Sequence, residues 1–247
     1  MIELNKIYNE DCLEGMKRIP DKSVDMILCD LPYGTTACKW DTIIPFEPLW
    51  GQYERVIKDN GAIVLFGTEP FSSLLRTSNI KRYRYDLIWE KSRFTNFLFV
   101  KKQFGKVHEN ISVFYKKQPT YNPQMEAGEP YKRKGTGKPK TKELMINPAT
   151  DNGKVSDGLR YPKSILKFPF HNVGNVHPTQ KPSDLFEYLI KTYTNENETI
   201  LDNCMGSGTT AIACLNTNRN FIGFELDETY HTIANERIAK HLLERGD

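Results

Sequence analysis

The sequence has few cysteines, no long apolar run and little net charge, and each shortage narrows the class of protein. The five cysteines are odd in number, scattered, and form no C-x-x-C pair, which argues against a disulfide framework or a zinc site. No apolar run approaches the ~20 residues of a membrane-spanning helix, and the first residues contain no signal-peptide core. We therefore expect reduced thiols in a cytoplasmic protein that does not span a membrane.

The net charge of +3 is too small to identify a partner, so the distribution of charge is more informative. Lysine and arginine are concentrated in residues 131–142, a stretch too poor in apolar residues to contribute to a core. Such a stretch suits contact with a phosphate backbone, and it is equally typical of an exposed loop that becomes ordered on nucleic acid. The candidate phosphate-contacting residues are Lys132, Arg133, Lys134, Lys138 and Lys140.

Short apolar strands alternate with amphipathic helices, which predicts an α/β fold with a mostly parallel sheet and helices on both faces. Strands are predicted at 4–8, 24–29, 62–66, 85–89, 110–115, 199–202 and 221–225, and the longer helices at 45–58, from 182 and at 228–245. Asn60-Gly61 is expected to end the first of these helices. Residues 116–176 are rich in Pro and Gly and predict an irregular, functional insertion, with a short strand at 164–168.

One buried strand is followed at once by an acid and a turn. The run Val24–Cys29 precedes Asp30, Leu31, Pro32, Tyr33 and Gly34. Open α/β sheets bind ligands at the carboxyl ends of their strands, and the proline and glycine predict a rigid turn there. Alone, such an element is more often an ordinary turn at a strand end, so its interpretation depends on the rest of the chain.

A glycine-rich loop follows a later strand. Residues 202–209 are Asp-Asn-Cys-Met-Gly-Ser-Gly-Thr, and a helix of small residues begins after them. Glycines let the backbone approach a ligand, and the helix amino terminus offers free N–H groups. Glu225, at the tip of the next strand, is either a surface acid or an acceptor for the ribose hydroxyls of an adenosine-type cofactor. The chain lacks G-x-x-x-x-G-K-[ST], and Ala211 interrupts G-x-G-x-x-G, which disfavours triphosphates and nicotinamide dinucleotides.

These two elements, with a third at residues 177–182, resemble the motifs of the β-class amino-methylating DNA methyltransferases. In that family the first element is Asp/Asn/Ser-Pro-Pro-Tyr/Phe/Trp, the cofactor loop is Asp-Pro-Phe-x-Gly-Ser-Gly-Thr, and H-x-x-Q-K-P precedes the loop. Trp89-x-Lys91 and His108-Glu109-Asn110 match weaker internal motifs. The first element precedes the cofactor loop, which is the β-class order and a circular permutation of the commoner one. Glutamine and release-factor methyltransferases have the opposite order.

The resemblance implies a Rossmann-like, S-adenosylmethionine-dependent methyltransferase fold with a mostly parallel seven-stranded sheet, in a single domain of residues 1–247. Residues 116–176 occupy the place of the family's target-recognition region. The residues that carry the reaction would be Asp30, Leu31, Pro32 and Tyr33. The cofactor-binding residues would be Asp11, Cys12, Asp30, Lys181, Asp202, Met205, Gly206, Ser207, Gly208, Thr209, Glu225 and Leu226. Lys181 would pair with the cofactor carboxylate, and no metal is expected.

Two positions depart from the family pattern. Leu31 replaces the first proline but can still supply the backbone carbonyl that the family uses. Asn203-Cys204 replaces Pro-Phe, so the family's contact between Phe and the cofactor adenine has no direct counterpart.

The resemblance implies site-specific methyl transfer to the N6 amine of a flipped adenine in double-stranded DNA. An acid at the first position favours adenine, because β-class cytosine enzymes usually carry serine there. N4-cytosine methylation and RNA methylation on the same fold are alternatives, and a homodimer and a cognate restriction endonuclease stay open as partners. Rival classes are a protein methyltransferase, a DNA-binding module without catalysis and a nucleotide oxidoreductase. The intact Asp30, Tyr33, Gly206 and Gly208 argue against the non-catalytic module.

Overall fold

The computed structural model describes residues 2–35, 41–131, 157–169 and 180–246. The five candidate phosphate-contacting residues between 132 and 140 lie outside the described residues, as do positions 177–179. The chain divides into two units: one runs to residue 122 and resumes at residue 164, and the other spans residues 123–163. The limits of 116–176 for an inserted target-recognition region stay a prediction.

Ten strands and six helices make up the described residues. The strands are β1 (Lys6–Tyr8), β2 (Val24–Cys29), β3 (Ile57–Gly67), β4 (Tyr83–Glu90), β5 (His108–Phe114), β6 (Glu126–Ala127), β7 (Leu159–Arg160), β8 (Ile165–Lys167), β9 (Thr199–Asp202) and β10 (Asn220–Phe224). The helices are α1 (Cys12–Met16), α2 (Phe46–Val56), α3 (Phe71–Ser78), α4 (Ser183–Tyr193), α5 (Thr209–Asn216) and α6 (Glu228–Arg245). A short 3-10 helix covers Phe97–Phe99.

One sheet organises the first unit, with strand order β1-β10-β9-β2-β3-β5-β4-β8. All neighbouring pairs are parallel except those that β5 makes with β3 and β4. The central strands are apolar throughout because both faces of the sheet are covered. Met26 and Leu28 of β2 belong to the core beneath α4, α5 and α6, whereas Ile27 and Cys29 belong to the core beneath α1, α2 and α3. The predicted mostly parallel α/β fold is confirmed.

The chain order of the strands reverses between β9 and β2. From β2 the chain proceeds to β3 on one side, and from β9 it proceeds to β10 on the other. Open α/β sheets bind ligands at such a switch point, outside the carboxyl ends of the strands. Asp30 follows β2 and Asp202 ends β9, so the two predicted motifs meet there.

Two sequence predictions are wrong. Within the described residues the sheet has eight strands rather than seven, because β8 pairs in parallel with β4 and extends the edge. The helix predicted over 45–58 ends at Val56, and β3 begins at Ile57, so Asn60-Gly61 lies within a strand. The pairing of β2 with β3 shifts register there, and a Cβ at Gly61 would lie 2.7 Å from the Asp25 carbonyl oxygen. Glycine is therefore needed for the close approach of two strands rather than for a helix end.

The second unit contains an antiparallel pair, β6 with β7. The amide of Gly128 donates to the carbonyl of Gly158 at 2.8 Å, and the Arg160 guanidinium lies 4.6 Å from the centre of the Tyr131 ring. Across both units, none of the helices in the described ranges combines the length and the apolar character needed to cross a membrane.

Candidate active site

The Asp30 side chain lies at the carboxyl end of β2, and both of its oxygens are engaged. The Tyr33 hydroxyl donates to Oδ1, and the Lys181 ammonium donates to Oδ2. The Tyr33 ring packs against Phe71, with 5.1 Å between the ring centroids. Leu31 is buried in the core beneath α1, α2 and α3, so its side chain anchors the turn. The turn therefore brings a carboxylate and an aromatic ring together.

Asp41, which the sequence reasoning did not identify, fixes the backbone of this turn. Its Oδ1 accepts hydrogen bonds from the amides of Tyr33 at 2.7 Å and Gly34 at 2.8 Å, and its Oδ2 accepts one from Thr35 at 2.9 Å. Gly34 has φ +67°, a conformation that favours glycine. A buried carboxylate that accepts three amide hydrogens holds the loop after Asp30 in one conformation.

A chain of alternating charges connects Asp30 to the interior of the sheet. Lys181 is 6% exposed, and besides Asp30 it lies 3.4 Å from Glu109 Oε2. Glu109, 13% exposed, also accepts from Lys91, which is 8% exposed. The Lys91 ammonium lies 4.8 Å from the centre of the Trp89 ring. The two weak motifs, Trp89-x-Lys91 and His108-Glu109-Asn110, therefore meet on adjacent strands and support Lys181.

Burial and charge act in opposite directions on the pKa values of this chain of charges. Burial alone lowers the pKa of Lys181, but the carboxylates of Asp30 and Glu109 outweigh it and the pKa lies above its ordinary value. Burial alone raises the pKa of Glu109, but the ammonium groups of Lys181 and Lys91 outweigh it and the pKa lies below its ordinary value. Both groups are therefore charged at neutral pH.

The glycine-rich loop has an open face towards the switch point. Gly206 has φ +54°, and a Cβ added to it would have no described heavy atom within 4 Å. Gly208, the N-cap of α5 at φ +83°, is confined instead, because an added Cβ would lie 3.2 Å from Ala234 Cβ. Position 208 therefore allows α6 to pack on the loop, and position 206 leaves room for a ligand at a helix amino terminus.

Glu225 lies directly beside this open face. Its Oε2 accepts from the Gly206 amide at 2.7 Å and its Oε1 from the Asp227 amide at 2.9 Å. Each carboxylate oxygen has two lone pairs, so both can accept a further hydrogen bond from a ligand hydroxyl. Burial raises the pKa of Glu225 above its ordinary value.

Asp202 holds the two ends of the glycine-rich loop through hydrogen bonds. Its Oδ1 accepts from the Cys204 amide at 3.0 Å, and its Oδ2 accepts from the Thr210 hydroxyl. Burial raises the pKa of Asp202 from 3.8 to about 6, against the opposing effect of these hydrogen bonds. Arg237 of α6, another residue that the sequence reasoning did not identify, donates to the Ser207 carbonyl at 3.0 Å and the Thr209 hydroxyl at 3.2 Å.

The outer part of the candidate cofactor site lies at the ends of β1 and β10. Asp11 is the N-cap of α1 and accepts from the amides of Leu13 and Glu14. Asn9 donates to the carbonyls of Glu225 and Leu226, at 2.9 and 3.1 Å, which joins the two strand ends. Leu226 is exposed, and Cys12 is buried. At the carboxyl ends of β1 and β10 the structure therefore brings together the candidates Asp11, Cys12, Glu225 and Leu226.

The substitution of Asn203-Cys204 for Pro-Phe has a structural counterpart. Asn203 Oδ1 accepts from the Tyr53 hydroxyl, and Asn203 Nδ2 lies 3.5 Å from the sulfur atoms of Cys12 and Cys204. The amide therefore connects the loop to α1 and α2 through polar contacts. Among the described residues no group of three or more His, Cys, Asp or Glu side chains could hold a metal ion, so these thiols form no metal site.

A Rossmann-like sheet with a glycine loop on one side of its switch point and an acid-containing turn on the other is the arrangement that the resemblance to S-adenosylmethionine-dependent methyltransferases implies. The residues fit that cofactor: the Gly206 face is open, Gly206 lies just before the N-cap of α5, and Glu225 can accept from hydroxyl groups. The Ser207 hydroxyl donates to Gln180 Oε1 at 3.4 Å, and the next residue, Lys181, donates to Asp30, so the glycine loop and the acid turn are linked.

Comparison with known proteins gives the same result. The family model described as DNA methylase, of the N6 and N4 methyltransferases, matches residues 24–236. The type II methyltransferase M1.MboII of Moraxella bovis is 29% identical in an alignment of 265 residues. The alignment covers 95% of this chain and 96% of that protein. The type II methyltransferase M.BglII of Bacillus subtilis is also 29% identical, over 94% of this chain and 68% of that protein.

Solved structures agree with the fold. The crystal structure of an M1.HpyAVI complex with S-adenosylmethionine superposes with a TM-score of 0.63 at 27% identity and covers 94% of this chain and 98% of that one. The PvuII DNA methyltransferase, described as cytosine-N4-specific, superposes with a TM-score of 0.67 at 14% identity, and at that identity the likeness shows the fold alone. The chain therefore belongs to the N6/N4 DNA methylase family, and it is a DNA methyltransferase that uses S-adenosylmethionine.

Proposed function

We propose that this chain is a site-specific adenine methyltransferase, which transfers a methyl group from S-adenosylmethionine to the N6 amine of adenine in double-stranded DNA. The observation that carries the proposal is the Asp30 carboxylate at the carboxyl end of β2, which accepts hydrogen bonds from Tyr33 and Lys181. The next residue in the chain, Leu31, supplies a backbone carbonyl. A carboxylate at this position favours adenine, because the related cytosine enzymes usually have serine there.

The target base is flipped out of the duplex, because its exocyclic amine cannot be reached within the base stack. The lone pair of that amine is conjugated with the ring, which makes the nitrogen a poor nucleophile. The Asp30 carboxylate and the Leu31 carbonyl accept the two amine hydrogens, which turns the lone pair out of conjugation and towards the methyl donor. Tyr33 supplies an aromatic face for the base, and Phe71 supports the ring of Tyr33 from behind.

S-adenosylmethionine supplies a methyl group on a sulfonium centre, and the protein contributes position and charge. As the bond from sulfur to the methyl group breaks and the bond from nitrogen forms, positive charge develops on the amine and the Asp30 carboxylate stabilises it, until the amine loses one of its two hydrogens as a proton. Lys181 and Asp41 keep the carboxylate and its turn in place, so little reorganisation is needed during the reaction. Pro32 restricts the backbone between the two acceptors.

The cofactor would be held at the edge formed by β9, β10 and β1. Glu225 would accept from the ribose hydroxyls, and Asp11, Cys12 and Leu226 would surround the adenine ring. The loop from Asp202 through Met205, Gly206, Ser207, Gly208 and Thr209 would enclose the methionine portion. Lys181 bonds Asp30 and lies near Glu109, and its additional pairing with the cofactor carboxylate is part of the proposal.

Double-stranded DNA is the proposed partner, and residues 116–176 are the proposed target-recognition region. The basic residues between 132 and 140 would contact phosphates, which provides affinity without sequence choice. The relatives M1.MboII and M.BglII are type II methyltransferases by name, which supports a role in a type II restriction-modification system with a cognate endonuclease. A homodimer is proposed by analogy with the family.

The test is transfer of a tritiated methyl group from S-adenosylmethionine to unmethylated, whole-genome-amplified DNA, followed by digestion to nucleosides. Wild type should yield labelled N6-methyladenine, and Asp30→Ala should yield none. Asp21→Ala, which removes an exposed carboxylate paired with Arg55, is the matched control and should retain activity. Label in N4-methylcytosine would overturn the choice of base, and transfer to RNA in a parallel reaction with no transfer to this DNA would overturn the choice of DNA.

A further inference from the structure

A group of large apolar side chains is exposed between β4 and β5. Phe104 is 98% exposed and Leu98 is 77% exposed, and Phe94, Phe97, Phe99 and Val100 are exposed as well. We call residues 93–104 the aromatic loop. A contiguous group of this kind on a protein surface usually marks an interaction site.

The aromatic loop is held in place by its own hydrogen bonds. The Thr95 amide donates to the Lys106 carbonyl at 2.9 Å, and Asn96 Nδ2 donates to the Phe104 carbonyl at 3.0 Å. Asn96 Oδ1 also accepts from the Lys106 amide at 2.6 Å. Two sides of the loop are therefore joined near its base, while the apolar side chains between them stay exposed to solvent.

The charge around these side chains has one sign. Residues 91–107 contain five Lys or Arg residues and no Asp or Glu. Arg93, Lys101 and Lys102 are exposed together with the apolar side chains. A surface that combines aromatic rings with cations matches a partner that has stacked apolar rings and anionic groups, which describes a nucleic acid.

The position of the aromatic loop fits the same partner. Strand β4 runs parallel to β2, because both β3 and β4 pair antiparallel with β5. The loop after β4 therefore leaves the sheet at the same end as Asp30, where the parallel strands have their carboxyl ends. Three strand spacings separate β4 from β2, which corresponds to about 14 Å. The ends of β4 and β5 supply Lys91 and Glu109, so the base of the loop is connected through Lys181 to Asp30.

We propose that the aromatic loop docks on the DNA duplex beside the target base, with Phe97, Leu98 and Phe104 against the base stack and Arg93, Lys101 and Lys102 on the phosphates. Removal of a base from the stack leaves a gap, and apolar side chains can fill or widen such a gap. This inference rests on the proposed function for the identity of the flipped base, but not for DNA binding itself.

A second copy of the chain is a less suitable occupant of this surface. A twofold interface places the same patch on both partners, so the cations at 93, 101 and 102 would face their own copies with no acid in the segment to compensate. Duplex DNA supplies the opposite charge. A dimer through this loop and an anionic membrane surface are the alternatives that the experiment must separate.

The experiment measures binding of a fluorescein-labelled DNA duplex by anisotropy over a series of salt concentrations. Lys101→Gln/Lys102→Gln should weaken binding and reduce the slope of log affinity against log salt by about 2, roughly one for each lysine that no longer neutralises a phosphate. Phe97→Ser/Leu98→Ser should weaken binding without a change in that slope, and should reduce kcat/KM for amplified genomic DNA by about tenfold or more, as expected when base stacking is removed.

Matched controls are available on α6. Leu243 is 79% exposed, a fraction similar to that of Leu98. Leu243→Ser should change neither binding nor kcat/KM. Lys240→Gln removes an exposed lysine that is paired with Glu244 and should leave the salt slope unchanged. Equal cofactor affinity and equal urea midpoints in all four variants would show that the fold is preserved.

The outcomes separate the two proposals. If the loop variants bind the duplex as wild type does, the inference is wrong even where wild type methylates adenine. It is also wrong if the serine variant converts a dimer to a monomer with unchanged DNA affinity, or if only binding to anionic vesicles is abolished. If wild type transfers no methyl group to DNA but the loop variants fail to bind the duplex, the proposed function fails and the loop inference stands.

Discussion

Replacement of Glu109 by glutamine tests whether the buried chain of charges supports the active site. Glu109 lies between Lys91 and Lys181, which are 8% and 6% exposed. Glutamine has nearly the same size and retains one acceptor oxygen, but it removes the negative charge. Lys181 keeps Asp30 as a partner but loses its attraction to Glu109, and Lys91 loses its ion pair with Glu109.

The size of the effect follows from opposing terms. At 3.4 Å, the attraction between Glu109 and Lys181 is about 5 kcal/mol at an effective dielectric constant of about 20. Desolvation of the carboxylate offsets several kcal/mol of the attraction to both lysines, and removal of one partner from a buried pair typically costs about 3–5 kcal/mol. Because glutamine retains a hydrogen bond, we expect the free energy of unfolding to fall by about 3 kcal/mol.

The pH dependence gives the sign of the effect. The folded-state pKa of Glu109 is lowered, so its stabilisation is present above the ordinary value of 4.5 and is lost as the pH falls through the folded-state pKa. The difference between wild type and Glu109→Gln should therefore be constant from neutral pH to about 5.5 and should shrink below 4.5.

Urea unfolding of both proteins across this pH range is the assay. Glu3→Gln is the matched control, because Glu3 pairs with Lys6 at 3.1 Å on the surface and its replacement should cost less than about 1 kcal/mol. The reasoning is refuted if Glu109→Gln is as stable as the control at neutral pH, or if its deficit persists unchanged in acid.

Three further predictions concern the two halves of the site. Asp41→Ala removes the acceptor of three amides, so unfolding free energy should fall by about 2–3 kcal/mol in urea, with partial recovery in Asp41→Asn; equal losses would contradict this role. Gly206→Ala and Gly246→Ala should each cost about 1–2 kcal/mol because both have positive φ, but only Gly206→Ala should weaken S-adenosylmethionine binding in calorimetry. Asp202 has its pKa raised to about 6, so stability is gained as the pH falls through 6 and lost as it rises; relative to Asp202→Asn, wild type should gain about 2.5 kcal/mol between pH 7.5 and pH 4, and a constant difference would contradict this.

Local patterns predicted most of the fold. Strand β2 has the predicted bounds because its apolar run is buried on both faces, and α6 has the predicted bounds because Asp227 caps its start and Gly246 its end. The start of β3 was missed because Lys58, Asp59 and Asn60-Gly61 are polar or turn-like residues. Their strand conformation depends on pairing with β2, which is a contact between distant parts of the chain.

The site was predicted only where it is local in sequence. The acid turn and the glycine loop each lie within a few consecutive residues, and the sheet brings them together as expected. The bond from Lys181 to Asp30 joins positions 151 residues apart, and the resemblance indicated only a cofactor partner for Lys181. No sequence motif marks Asp41, because its role is defined by the three backbone amides that donate hydrogen bonds to it. The role of each candidate at the cofactor stays a prediction.

The central claim is that Asp30 activates the N6 amine of adenine in DNA. Its most direct test is expression of the chain in a bacterial host without DNA methylation, followed by single-molecule sequencing of the genomic DNA. The account predicts N6-methyladenine at one short sequence motif for wild type and none for Asp30→Ala. N4-methylcytosine at the motif, or N6-methyladenine that persists in Asp30→Ala, would contradict it.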